Sequence, residues 1–124
     1  MSTRFATFGM LLAAVAAGFV PLSGFAAERE LKQLSEAEIA QLEEVLPERA
    51  TATPRQPRKL LIFWRCEGFF HGDTIAWSTK AFEMIGEKTG AYTTVVSADM
   101  AMFEPEKLNR FDAVFFNNTS ALKF

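Results

Sequence analysis

His71 is the single histidine of this 124-residue chain, and it lies in a polar loop between Gly68 and Gly72, directly after an apolar run. Imidazole can transfer protons near neutral pH or bind a metal ion, so His71 is the first candidate catalytic residue. The plainer alternative is a partly exposed residue that simply precedes a helix, because loops often carry histidines without a catalytic role.

Four further polar residues could take part in catalysis or binding: Glu67, Asp99, Asn118 and Thr119. Either carboxylate could be the second group that acid–base chemistry with His71 requires, although loop acids are commonly just solvated. Amide and hydroxyl groups can hold the hydroxyls of a ligand or an oxyanion, but these residue types also form ordinary turns. We take all four, with Phe70, as candidate substrate-binding residues.

The pattern around these residues predicts alternating strands and helices. Residues 60–64 contain no polar side chain, which indicates a central strand covered on both faces. Residues 73–88 have helical periodicity, with Asp73 or Thr74 as the cap and Gly90 as the stop. Strands are predicted at 91–97 and 111–117, with a helical turn opened by Pro105 between them. This order is typical of a parallel α/β sheet.

Ligands of such sheets bind outside the carboxyl ends of the strands, at a point where the strand order reverses. The predicted loops there are 65–72, 97–100 and 117–120. If the first and third strands are neighbours, as in a flavodoxin-like order, His71 and residues 117–119 face one crevice.

Three segments in this order resemble the ThuA-like, or trehalose utilisation, family: Gly68-Phe69-Phe70-His71 with Ile75, residues 102–108, and residues 111–119. The resemblance implies a flavodoxin-like three-layer parallel sheet, of the class I glutamine amidotransferase-like superfold, and a role in the use of trehalose or related sugars. It also implies that His71 lines the pocket and that Asn118 and Thr119 lie at the tip of a neighbouring strand. Because the match covers only residues 59–120, we expect residues 58–124 to hold the first three strands of a truncated domain.

The first residues predict export. Arg4 is followed by an apolar stretch, by Pro21, and by a small-x-small pattern at residues 24–26, which together indicate a signal peptide over residues 1–26, cut near Ala26. A membrane anchor is the alternative, but the stretch is shorter than the roughly 20 residues of a spanning helix. The mature chain is therefore expected to be secreted or periplasmic and free of the membrane.

Residues 27–57 form a separate unit in this interpretation. Ser35 and Glu38 make a capping box, and Ile39, Leu42, Val45 and Leu46 form the apolar stripe of a short helix. So short a helix is marginal alone, so it packs on the α/β body, docks on a partner through Ile39, Leu42 and Leu46, or frays. The Pro-containing stretch that follows, residues 48–57, predicts an extended tether.

Composition limits the remaining chemistry. The 13 Lys and Arg against 15 Asp and Glu are too balanced to attract nucleic acid, and a neutral small molecule suits the chain better. Cys66 is the sole cysteine, so an intrachain disulfide is excluded; a nucleophilic role is open, but the sharp elbow of such residues is missing, which favours a buried thiol. We see no convincing metal-ligand spacing; a metal site completed by residues beyond Phe124 is the alternative, and whether a cofactor is needed stays open.

Three functions remain open from the sequence. The first is an exported enzyme acting on sugars, with His71 as general acid or base. The second is a sugar-binding or interaction module without turnover, in which Phe69 and Phe70 supply a stacking face unless they close the core instead. The third is a fragment without independent function.

Overall fold

The computed structural model describes residues 29–123, so the predicted signal peptide lies outside the described residues. Those residues form an open, all-parallel α/β sheet with helices on it. In chain order the elements are helix α1 (Glu36–Val45), strand β1 (Lys59–Phe63), helix α2 (Gly72–Thr89), strand β2 (Thr93–Ser97), a 3₁₀ helix (Met100–Phe103), helix α3 (Pro105–Leu108) and strand β3 (Ala113–Phe116).

The strand order is β2-β1-β3, and both pairings of β1 are parallel. The prediction that the first and third strands are neighbours is therefore confirmed. Leu61, Ile62 and Phe63 of β1 are fully buried, as expected for an apolar strand covered on both faces. The carboxyl ends of β1 and β3 consequently open onto the same edge of the sheet.

Two layers of side chains cover the sheet. Consecutive strand residues point to opposite faces of the sheet, so the side chains of Phe115 and Phe116 of β3 lie on different faces. Phe115 packs against Phe82 of α2, with 4.3 Å between ring centroids, and Phe116 stacks on Phe103 of the 3₁₀ helix at 5.6 Å. Phe103 also meets Phe63 edge-to-face at 4.8 Å. Helical segments thus pack on both faces of the sheet.

Helix α2 ends as predicted but begins differently. Gly90 adopts the left-handed conformation, with φ of 63°, that terminates helices. The predicted cap at Asp73 or Thr74 is wrong, because His71 occupies the N-cap position and gives no side-chain capping bond within the described residues. Asp73 instead lies in the first turn, where its carboxylate still suits the helix dipole and pairs with Lys32.

Helix α1 has the predicted capping box. The Ser35 N–H donates to Glu38 Oε2 at 2.7 Å, and the Glu38 N–H donates to Ser35 Oγ at 3.3 Å. The helix packs on α2, where Leu42 is buried, and Lys88 of α2 donates to the Glu43 carbonyl at 3.2 Å. Val45 is 76% exposed and does not belong to the packed stripe. Packing on the α/β body is therefore the arrangement that the chain adopts.

Helix α2 also approaches the start of β2 closely. A Cβ atom added at Gly86 would lie 2.7 Å from the carbonyl oxygen of Tyr92, so any larger residue there would displace main chain. The Tyr92 hydroxyl donates to the Phe82 carbonyl at 3.0 Å. None of the helices within residues 29–123 is both long and apolar enough to cross a membrane.

Candidate functional site at the carboxyl ends of β1 and β3

The loop after β1 is joined to the segment after β3 through Ser120. The N–H groups of Glu67 and Gly68 donate to the Ser120 carbonyl at 3.0 and 3.2 Å, and Ser120 Oγ lies 3.0 Å from Cys66 Sγ. A Cβ atom at Gly68 would come within 2.6 Å of Ser120 Oγ, so the contact depends on glycine. The two loops thus form one surface, as the strand order predicts, although no sequence pattern indicates the role of Ser120.

His71 is exposed on this surface, beside Phe69. Their ring centroids lie 4.7 Å apart in an edge-to-face arrangement, and Phe69 is 77% exposed. Phe69 therefore does not close the core, and of the two alternatives for its ring, core packing or an exposed face, the structure has the exposed face. We call these two side chains the Phe69–His71 platform.

Phe70 and Glu67 lie on the same loop but are turned to other contacts. Phe70 is partly buried against Trp64, and the guanidinium of Arg29 lies 5.0 Å from its ring centroid. Glu67 Oε1 accepts from Arg65 Nε at 2.6 Å. In the described part of the chain, no carboxylate forms an ion pair or a hydrogen bond with His71. The loop therefore offers accessible recognition groups but no acid–base pair of its own.

The remaining predicted site residues follow the other two strands. Asp99, after β2, caps the 3₁₀ helix by accepting from the Ala101 N–H at 2.9 Å. Asn118 is exposed with a left-handed φ of 55°, a conformation that asparagine tolerates better than most residues, and Thr119 is partly exposed. Asn118 and Thr119 lie with Ser120 in the segment that follows β3. The Asp99 carboxylate, in contrast, is bonded within its own turn.

Asn117 does not face the predicted crevice. Its side chain is buried, and its amide donates to the Ile75 carbonyl at 3.0 Å and to Thr79 Oγ1 at 2.9 Å. Its carbonyl oxygen accepts from Ser78 Oγ at 2.7 Å. The amide is thus fully engaged by α2, because a buried polar group must find partners inside the protein. The prediction that residue 117 faces one crevice with His71 is wrong for its side chain.

Cys66 is buried, as the sequence favoured, with 7% of its surface exposed. Its thiol donates to the Phe69 carbonyl at 3.0 Å. Burial raises the pKa of this thiol. Hydrogen bonds from the Ser120 hydroxyl and from the N–H groups of Gly68 and Ser120, together with the charge of Arg29, lower the pKa by more than burial raises it. The net pKa of Cys66 therefore lies below its usual value.

Arg29 is a contributor to this surface that sequence reasoning missed. Its Nη1 donates to the Cys66 carbonyl at 2.9 Å and to the Gly68 carbonyl at 3.1 Å. The sequence places Arg29 in a separate N-terminal unit, and no local pattern around it indicates a contact 37 residues away. Only the fold brings it to the loop.

Neither of two cavities found among the described residues includes the Phe69–His71 platform. One, of about 470 Å³, lies at the amino ends of β1 and β2, beside Arg58 and Tyr92. The other, of about 300 Å³, lies between residues 31–39 and α2. The platform is an open surface, because the side chains of Phe69 and His71 are both exposed.

No group of three or more His, Cys, Asp or Glu side chains within residues 29–123 is arranged to hold a metal ion. No family model, curated protein or solved structure matches the chain.

Proposed function

We propose that this chain is an exported ThuA-like protein of carbohydrate utilisation, which binds trehalose or a related sugar at the Phe69–His71 platform. The observation that carries the proposal is the exposed ring of Phe69 beside His71, at the end of the central strand. The C–H face of a sugar ring can pack on such an aromatic ring while its hydroxyls bond to polar neighbours. The groups proposed to supply those bonds are Asn118, Thr119 and the second carboxylate oxygen of Glu67, whose Oε1 accepts from Arg65.

The strand order supports this assignment. The observed β2-β1-β3 order is compatible with a flavodoxin-like sheet, in which ligands bind at the carboxyl ends of the first and third strands. The platform lies in the loop that follows β1, and Asn118 and Thr119 follow β3. A flavodoxin-like domain and the proposed binding surface are therefore mutually consistent.

Binding without turnover is the form of this function that the geometry favours. Acid–base catalysis by His71 needs a second group at the reacting atoms, and the two candidate carboxylates are engaged by Arg65 and by the Ala101 N–H. The catalytic alternative remains a proposal in which His71 transfers the proton and Glu67 or Asp99 is released to assist it.

Calorimetric titration of the chain with trehalose and with its component monosaccharide tests the proposal. We expect saturable binding that Phe69→Ala weakens about tenfold, since one aromatic contact is worth roughly 1 kcal/mol or more. Val45→Ala, which also removes an exposed apolar side chain but on α1, is the matched control and should bind like the wild type. If the wild-type chain shows no saturable binding, the proposed sugar-binding function is wrong, and a fragment without independent function becomes the better interpretation.

His71→Ala separates recognition from catalysis. For a binding surface, we expect affinity to fall and no sugar product to form with either protein. If the wild type turns over a sugar and His71→Ala abolishes turnover with little loss of affinity, the catalytic alternative replaces the binding one.

Export has its own test. Expression of the full chain with recovery of the periplasmic fraction should yield a protein whose N-terminal residue lies near Ala27. Recovery of the uncleaved chain from the membrane fraction would favour the anchor instead.

A further inference from the structure

Strand β2 is an edge strand, and its outer edge has no strand partner within residues 29–123. On its inner side, the Thr93 N–H donates to the Arg58 carbonyl at 2.9 Å, next to β1. Successive residues of a strand direct their main-chain groups to opposite sides, so those of Thr94 and Val96 point to the outer edge. Another extended chain could bond to these N–H and C=O groups.

A groove lies between β2 and α2. It consists of the cavity of about 470 Å³, at the amino end of β2, and the cavity of about 300 Å³, nearer its carboxyl end. Glu83 lines both cavities, Thr94 lines the larger one and Val96 the smaller one. The α2 residues that line them recur every three or four positions, which is one face of a helix: Ala76, Thr79, Lys80, Glu83, Gly86 and Glu87. The groove therefore has a helix face on one side and an edge strand on the other.

The larger cavity carries negative charge. Glu83 and Glu87 lie one turn apart on α2, and neither forms an ion pair among the described residues. Arg58, the basic residue of the lining, is engaged by Asp112, with 2.7 Å between Nη1 and Oδ1. The carboxyl end of α2, which stops at Gly90 beside the cavity, adds the negative end of the helix dipole. A cationic side chain is the group that complements this lining.

We propose that the outer edge of β2 binds an extended segment of a partner protein, which adds to the sheet as a further strand and places a lysine or arginine side chain within reach of Glu83 and Glu87. Main-chain bonds to the open edge supply affinity, and the groove beside it selects the cation, which is the division of roles in recognition by strand addition. The site lies at the amino end of β2, whereas the proposed sugar-binding surface lies at the carboxyl ends of β1 and β3. The two proposals are therefore independent.

Charge also identifies the occupant and its position. A second copy of the chain that paired through its own β2 would bring no cation, since Thr93–Ser97 contains no lysine or arginine. Lys80 borders the smaller cavity and repels a cation there. The basic side chain of the partner therefore lies at the amino end of β2, beside Thr94.

Selection from a displayed library of random short peptides against the full chain provides the probe. We expect enrichment of peptides that carry a lysine or arginine among β-branched residues. Fluorescence anisotropy of the enriched peptide should show affinity about tenfold weaker for Glu87→Gln, which loses a charge-assisted bond. Glu106→Gln removes an exposed carboxylate from another helix and should bind like the wild type.

Strand addition is tested in the peptide, which leaves the protein unchanged. N-methylation of alternate residues removes the N–H groups along one edge of an extended peptide, and two complementary sets are possible. We expect one set to abolish binding and the other to retain it, and bound peptide to slow hydrogen exchange at the amides of Thr94 and Val96.

Four results would overturn the proposal: no enrichment of basic peptides, equal weakening by Glu87→Gln and Glu106→Gln, equal effects of the two N-methylated sets, or protection of the Thr94 amide that rises with protein concentration in the absence of peptide. The last result would make a second copy of the chain the occupant of the edge.

Discussion

Asn117 is the residue that most directly ties the sheet to its covering helix. Its main-chain N–H continues the sheet by donating to Phe63 at 2.8 Å, while its side chain makes three hydrogen bonds to α2. No buried side-chain nitrogen or oxygen atom among the described residues lacks a hydrogen-bond partner, and both polar atoms of the Asn117 side chain are bonded. Asparagine is typical of turns, but Asn117 is buried and connects the end of β3 to α2.

Asn117→Ala should lower the free energy of unfolding by about 2–4 kcal/mol, because it leaves the Thr79 hydroxyl and the Ile75 carbonyl buried with one bond fewer. Urea denaturation followed by circular dichroism measures the change. Asn109→Ala, at an exposed helix end, is the control and should have a much smaller effect. Equal losses in the two variants would contradict the role assigned to Asn117.

Ser120→Ala should raise the pKa of the Cys66 thiol, because it removes the hydroxyl that stabilises the thiolate by a hydrogen bond. The pH dependence of thiolate absorbance, or of the rate of alkylation, gives this pKa. Ser120→Thr retains the hydroxyl and should behave like the wild type, as should Thr51→Ala in the exposed tether. A pKa that is unchanged or lower in Ser120→Ala would refute the assignment.

At the scale of elements, the predictable parts are those set by local patterns. The apolar run of β1, the glycine stop of α2, Pro105 at the start of α3 and the capping box of α1 all have short-range signals. The 3₁₀ helix at Met100–Phe103 was not predicted: Asp99 caps it locally, but the ring of Phe103 packs on Phe63 and Phe116, which are distant in sequence. The contacts of Arg29 and Asn117 were missed for the same reason: their partners are far away in sequence.

The capping box makes the stability of α1 depend on pH. Hydrogen bonds from the Ser35 N–H and hydroxyl, with Lys32 nearby, lower the pKa of Glu38 from 4.5 to about 2. A lowered pKa means that the stabilisation is complete above about pH 4.5 and is lost as the pH falls toward 2. The urea midpoint of the wild type should therefore fall over this interval more than that of Glu38→Gln.

Glu44→Gln, at an exposed position of the same helix, is the control for the loss of one carboxylate. Its midpoint should keep the acid dependence of the wild type. If Glu38→Gln and Glu44→Gln respond identically between neutral and acid pH, the capping box does not couple α1 to pH.

At the scale of the whole molecule, the sheet is unequally protected. Strand β1 lies between two neighbours, whereas the outer edges of β2 and of β3 have no strand partner among residues 29–123. Phe116 of β3 is 46% exposed, although it packs on Phe103. An unprotected edge strand with exposed apolar side chains favours pairing with another copy of the chain.

We therefore expect concentration-dependent self-association of the chain, which sedimentation velocity over a dilution series would detect. Ala113→Lys should suppress it, because Ala113 is exposed at the start of β3 and a lysine on an edge strand opposes strand addition. Ala37→Lys adds the same charge at an exposed position of α1 and should leave association unchanged. Equal suppression by both variants would assign the association to net charge, and a monomer at all concentrations would show that the edge of β3 is protected by its own short length and twist.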